Sequence, residues 1–184
     1  MVARVLVLLA LGFEEVEAVT VVDVLRRAGA EVVLASLGTG PVRGAHGIFV
    51  AADAELAAVD GAGFDVLVLP GGQPGTRNLA ADPRVLALVR DFAARGKTVG
   101  AICAAPSVLA DAGVLTGRRV TSHPSVRAAL VGAEVLPDAA VVRSGSIVTS
   151  QGVGTALDFA LELASLLVGP ERAAELARAM VHRR

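Results

Sequence analysis

The stretch Thr98-Val99-Gly100-Ala101-Ile102-Cys103-Ala104-Ala105-Pro106 runs from an apolar, β-like segment straight into a helical one, with Cys103 at the junction. It is a nucleophile elbow in all but the residue letter. A strand that turns this abruptly into a helix strains its junction residue and crowds the positions two away, so small residues are required there. Ala101 and Ala105 supply them. The side chain of Cys103 is then presented at the carboxyl end of a strand, close to the first free N–H groups of a helix, which favour a thiolate. An ordinary thiol is only ~3% ionised at pH 7, and a lowered pKa would change that. From position alone, two readings of Cys103 stay open: a small buried hydrophobe or a reactive sulfur.

Working outward, the chain alternates short apolar β runs with amphipathic helical stretches, the pattern of a mostly parallel α/β sheet covered on both faces. Strands are expected at 4–10, 31–37, 65–69 and 98–102, with two more at 140–143 and 146–150. Helices are expected at 15–27, 83–95, 104–112 and 154–167, and a last one opens at Pro170, a residue suited to a first helical turn. Arg143-Ser144-Gly145-Ser146 reads as a tight hairpin turn, which makes the sheet mixed at one side. In such a fold, ligands bind outside the carboxyl ends of the strands.

Composition narrows the function classes. The 184 residues are 54% hydrophobic and 19% charged, enough for one well-buried core and too apolar for disorder. A net charge of −1 gives no electrostatic footprint for nucleic acid or an anionic membrane. With 3% aromatics and no Trp or Tyr, the chain offers no stacking platform for bases. The amino-terminal apolar run is too short to span a bilayer and is followed by Glu14, Glu15 and Glu17 rather than a cleavage site. The expected location is therefore the cytoplasm.

Nucleotide motifs fail on spacing. Arg95-Gly96-Lys97-Thr98 lacks the earlier glycine of a phosphate loop, where Asp91 stands, and Leu69-Pro70-Gly71-Gly72-Gln73-Pro74-Gly75 has no lysine. The Gly71-Gly72 pair instead serves backbone conformation, or brings N–H groups close to something small. The three histidines lack metal-ligand spacing, and the lone Cys permits no thiolate cage, so no metal is expected. His46 lies in a glycine-flanked turn and His182 in the polar tail; His123 ends a β run before Pro124, where an imidazole can act as base or orienter. A carboxylate from the Glu14, Glu15, Glu17 group placed beside a thiolate would raise both pKa values. A functional Glu there should be protonated and donate a hydrogen bond to the sulfur, as a proton shuttle would.

Together these residues resemble the ThiJ/PfpI superfamily, in the branch of deglycases and their bacterial relatives. The resemblance rests on Gly12-Phe13-Glu14-Glu15-Val16-Glu17, Asp23-Val24-Leu25-Arg26-Arg27-Ala28-Gly29, Leu69-Pro70-Gly71-Gly72, Ala101-Ile102-Cys103-Ala104-Ala105-Pro106, Thr121-Ser122-His123-Pro124 and Thr149-Ser150-Gln151-Gly152. It implies one ThiJ/PfpI domain over residues 1–184, a flavodoxin-like three-layer sandwich, and a homodimer. It further implies Cys103 as nucleophile, Glu17 as the acid bonded to it, His123 nearby, and the Gly72 and Ala104 amides as oxyanion hole. The implied activity needs no cofactor: a small aldehyde or dicarbonyl such as methylglyoxal is converted to a hydroxy acid, as a glyoxalase III or deglycase does. An oxidative-stress sensor or chaperone working through Cys103 oxidation is the alternative. A peptidase is the weaker one, because the protease-like branch follows its Cys with His and this chain has Ala104. Relatives often carry Arg where His46 and Gln151 stand here, so substrate preference is expected to differ.

Overall fold

The computed structural model describes residues 2–182. The chain opens with β1 (Arg4–Leu9), α1 (Glu15–Arg27) and β2 (Glu31–Ser36), then three short strands, β3 (Val42–Arg43), β4 (Phe49–Val50) and β5 (Ala54–Glu55). There follow β6 (Val66–Leu69), α2 (Gly75–Ala81), α3 (Pro83–Ala94), β7 (Thr98–Ile102) and α4 (Pro106–Asp111). The last third holds β8 (Arg119–Val120), β9 (Glu134–Val135), β10 (Val141–Ser144), β11 (Ile147–Ser150), α5 (Ala156–Val168) and α6 (Pro170–Ala179).

Seven strands form one sheet in the order β10-β11-β7-β6-β1-β2-β5. Every neighbouring pair is parallel except the β10–β11 hairpin, which turns at Gly145 as the sequence predicts. Strand β1 shows why the pattern is legible. Its alternate side chains bury on opposite faces: Leu6 and Leu8 join one core with residues of α2, α3 and α4, while Val5, Val7 and Leu9 join another with α1, α5 and α6. The result is a flavodoxin-like, three-layer α/β sandwich whose only fully buried large aromatics are Phe13, Phe92 and Phe159 among the described residues. No helix among those residues is long and apolar enough to cross a membrane.

Helix α1 has the bounds the sequence predicts, with Glu15 and Glu17 in its first turn and Arg26 and Arg27 in its last, both favourable to the helix dipole. Helix α4 differs: it starts at Pro106 instead of Ala104. Cys103 takes a left-handed conformation and Pro106, lacking an N–H, fits the first helical position, so residues 103–105 form a turn rather than helix. The β run expected before His123 is present as the two-residue strand β8, while helix α2 and the short strands β3, β4, β5 and β9 are additional to the predicted elements.

From β1 the chain moves to β2 on one side, then returns to place β6 on the other, so the carboxyl ends of β1 and β6 flank a topological switch point. The two loops there are stitched together: the Glu14 N–H donates to Gly71 O at 2.9 Å, and the Gly75 N–H to Gly12 O at 3.0 Å. Cys103 leaves the next strand over, β7.

Candidate active site

Cys103 has φ 63, and apart from Val181 it is the one non-glycine residue in that region among those described. A left-handed conformation costs an L-residue roughly 1–2 kcal/mol and must be held by its surroundings. Two bonds hold it: the Cys103 N–H donates to Ser150 O at 3.0 Å, and Cys103 O accepts the His123 N–H at 2.8 Å. The end of β11 and the loop after β8 thus fix the elbow. Ala101 and Ala105 are fully buried beside it.

Glu17 enters from the first turn of α1. Its side chain is completely buried, and Oε2 accepts the Gly71 N–H at 2.8 Å. Oε1 has no nitrogen or oxygen partner. Burial pushes the Glu17 carboxyl up to about 7, against hydrogen bonds from Gly71 and Cys103 and with a further push from the Glu14 charge. Burial, then the charge and hydrogen bond of Glu17, push the Cys103 thiol up to about 12, while the Ala104 and Gly72 amides pull the other way. This direction corrects the expectation of a thiol lowered by a helix terminus. Helix α4 starts three residues later, and a buried carboxylate faces the sulfur. Cys103 and Glu17 behave as one acid: with a carboxylate on Glu17 the sulfur keeps its proton, and a thiolate goes with a protonated Glu17.

Gly71 and Gly72 explain how the amides come so close. A Cβ on Gly71 would lie 2.6 Å from Cys103 Cβ and 2.8 Å from Glu17 Oε2. Gly72 has φ 92, and a Cβ there would lie 2.4 Å from the Glu14 backbone nitrogen. Both roles expected of the pair, unusual backbone conformation and close approach of N–H groups, are present.

His123 also reaches the site. Its Nδ1 accepts the Ser125 N–H at 3.3 Å and lies 2.8 Å from Ser125 Oγ, which leaves Nε2 as the ring nitrogen free to donate. The Cδ2 edge faces a small space beside Gly152 that Cys103 Sγ and Glu17 Oε1 also border. The five predicted site residues, Cys103, Glu17, His123, Gly72 and Ala104, therefore converge. The sequence reading had not singled out Gly71 as the donor to Glu17, Ser150 as the acceptor from Cys103, or Gly152 as a wall.

The two departures have different fates. Gln151 donates through Nε2 to Pro137 O at 3.1 Å and Ala139 O at 2.8 Å, so it ties down a loop. His46 meets the carboxylates at the start of α1, its Nδ1 3.0 Å from Glu15 Oε2 and 3.4 Å from Glu14 Oε2. The Glu15 hydrogen bond, then the Glu14 and Glu15 charges, hold the His46 pKa above its ordinary value. Glu15 also accepts the His46 and Ile48 N–H groups at 2.8 and 3.3 Å. Glu14, Glu15 and His46 are the one group among the described residues close enough to ligate a metal, and the hydrogen bonds already account for Glu15. His182 lies apart, 3.1 Å from Asp158, where it closes α6 onto α5.

The family model for the DJ-1/PfpI family matches residues 3–166. This chain belongs to the DJ-1/PfpI family. Among curated DJ-1/PfpI relatives, protein dj-1beta of Drosophila melanogaster is 42% identical over 178 residues, covering 96% of this chain and 95% of the relative. Its crystal structure superposes with a TM-score of 0.96 at 40% identity, covering 100% of both chains. The glutathione-independent glyoxalase DJR-1.2 of Caenorhabditis elegans is 38% identical over 161 residues, 86% of this chain and 85% of the relative. A structure of oxidized DJ-1 from Toxoplasma gondii superposes at a TM-score of 0.94 with 37% identity, covering 99% of this chain and 100% of the other.

Proposed function

We propose that this chain is a cysteine-dependent, cofactor-free enzyme acting on small reactive carbonyls, of the glyoxalase III or deglycase type. The carrying observation is the convergence of a strained Cys103 with a fully buried Glu17 carboxyl and two backbone donors, at the carboxyl ends of β6 and β7. Carbonyl addition needs a nucleophile, donors for the developing oxyanion and a proton carrier. A relative named as a glutathione-independent glyoxalase supports the same reaction class.

With methylglyoxal, the pair first places its shared proton on Glu17. The Cys103 thiolate forms a bond to the aldehyde carbon, whose C=O electron pair moves to oxygen between the Gly72 and Ala104 amides. Glu17 gives that oxygen its proton, leaving a hemithioacetal and a carboxylate. The carboxylate takes the proton from the former aldehyde carbon to give an enediolate, and returning that proton to the adjacent carbon, while the hydroxyl proton passes from one oxygen to the other, gives a thioester. Water hydrolyses the thioester to lactate and frees the thiol. The sum is methylglyoxal plus water to lactate, with no external oxidant or reductant. His123, whose Nδ1 accepts the Ser125 N–H, turns its Cδ2 edge toward Cys103 and Glu17 beside Gly152.

The test is lactate release from methylglyoxal by wild type, Cys103→Ala and Glu17→Gln. Turnover confined to the wild type supports the reading, and equal turnover in the three proteins overturns it.

A second reading is favoured by the oxidized Toxoplasma gondii relative: Cys103 as a peroxide sensor. It predicts a gain of two oxygens on Cys103 under mild peroxide, read by intact mass. The same proposal includes a homodimer, built on the exposed apolar Val16, Val19, Ile48 and Phe49 of α1 and the adjacent β4 region. Val19 also lines a groove of about 570 Å³ whose rim carries Asp23, Asp53, Arg26 and Arg27, charges of both signs suited to a two-fold contact. A lone reduced thiol suits the cytoplasm.

A further inference from the structure

Gly152 has no structural reason to be glycine. Its φ of 161 is extended backbone open to any residue, and a Cβ built on it would meet nothing closer than 3.9 Å. Gly71 and Gly72, by contrast, have backbone or side-chain atoms within 2.6 Å of that position. The three atoms that a Gly152 methyl would touch, each at 3.9 Å, are Cys103 Sγ, Glu17 Oε1 and His123 Cδ2. These are the nucleophile, the proton carrier and the edge of the imidazole. Oε1 is the oxygen of a fully buried carboxyl that has no nitrogen or oxygen partner, and it is aimed into this same space.

We propose that the missing side chain of Gly152 leaves the room that receives the substituent on the carbon next to the reacting carbonyl, and that this room sets substrate size. This deepens the carbonyl-enzyme reading and rests on it. Contact distance between carbons is about 3.5–4.0 Å, so a methyl on Gly152 would stand in van der Waals contact with sulfur, oxygen and ring carbon at once, and its absence leaves the approach to the sulfur open to a small substrate group. In the hemithioacetal of methylglyoxal, the methyl lies three bonds from sulfur and takes that place. In the adduct of glyoxal the same place holds only hydrogen or hydroxyl. A side chain at Gly152 therefore competes with that substituent for the same room, and the competition grows with the size of the substituent. Gly152 is a specificity-determining position: it acts by the room it leaves.

The test uses Gly152→Ala and Gly152→Val, with Gly154→Ala as control, because a Cβ at Gly154 meets nothing within 4 Å. The first readout does not depend on turnover: the alkylation rate of the single thiol, Cys103, by iodoacetamide. Gly152→Ala should slow it about tenfold and Gly152→Val more, the discrimination one buried methyl group supplies. Gly154→Ala should match wild type, and all melting temperatures should be close to wild type. Equal alkylation across the Gly152 series overturns the proposal. So does a collapsed melting temperature in Gly152→Ala, which would give Gly152 a structural reason.

The second readout is the ratio of kcat/KM for glyoxal to that for methylglyoxal, expected to rise about tenfold in Gly152→Ala. An unchanged ratio also overturns the size filter. If the wild type turns over neither aldehyde, the carbonyl-enzyme reading fails, while the alkylation series still decides whether that room lies over the sulfur.

Discussion

At the residue scale, the site is organised by one buried proton. Cys103 and Glu17 both have their ionised forms disfavoured by burial, and each opposes the charge of the other. The Gly71 amide is spent on Glu17 Oε2, which leaves Oε1 for the sulfur and the substrate. Gly72 is the residue on which this packing turns. Its positive φ and the 2.4 Å approach to the Glu14 nitrogen leave no room for a Cβ. Gly72→Ala should cost on the order of 2–4 kcal/mol, seen as a lower urea midpoint, and should withdraw an amide from Cys103. The turn at His46 offers a second check. Glu15→Gln removes the leading cause of the raised His46 pKa, so the His46 ring resonances should titrate at lower pH by NMR.

At the element scale, β7, which leads into the nucleophile, is packed between α3 on one face and α5 on the other. Gly100 is where α5 comes closest: a Cβ there would lie 3.0 Å from Phe159 Cζ and 3.4 Å from Leu163. Gly100→Leu should overpack this contact, destabilising the fold by about 2–3 kcal/mol in chemical denaturation. The long strands are legible in the sequence as short continuous apolar runs, as with Val5 to Leu9, which are buried on both faces of the sheet, and α1 is legible from its amphipathic helical pattern. Strands β3, β4 and β5, of two residues each, are too short to carry a period. Helix α2 is hidden because it opens on Gly75, inside a run that reads as a glycine-rich turn. The start of α4 is misread because nothing local distinguishes Ala104 and Ala105 from helical alanines; the left-handed Cys103 decides it. Cys103, Glu17 and His123 are legible as residues with chemistry at strand ends and through the resemblance. The bond from Gly71 to Glu17 joins positions 54 apart, and no local signal announces it.

At the scale of the whole molecule, the buried acid sets the pH dependence of stability. The Glu17 pKa is raised from 4.5 to about 7, so between those values the folded protein binds more protons than the unfolded chain. The contribution of Glu17 to stability is therefore most favourable at low pH, falls as pH rises through that window, and stays low above it. The shift corresponds to a loss on the order of 3 kcal/mol. Urea melts at pH 5 and pH 8 should show that loss in wild type relative to Glu17→Gln. For the assembly, Val19→Lys places a charge on the exposed apolar face of α1 and should shift a dimer toward monomer in light scattering. The most direct test of the Cys103–Glu17 centre is the pH profile of Cys103 alkylation by iodoacetamide, from pH 5 to 10, in wild type and Glu17→Gln. The shared acid predicts a step near pH 7 in the wild type that is absent from Glu17→Gln. A single step near the ordinary thiol value of about 8.5 in both proteins would contradict it.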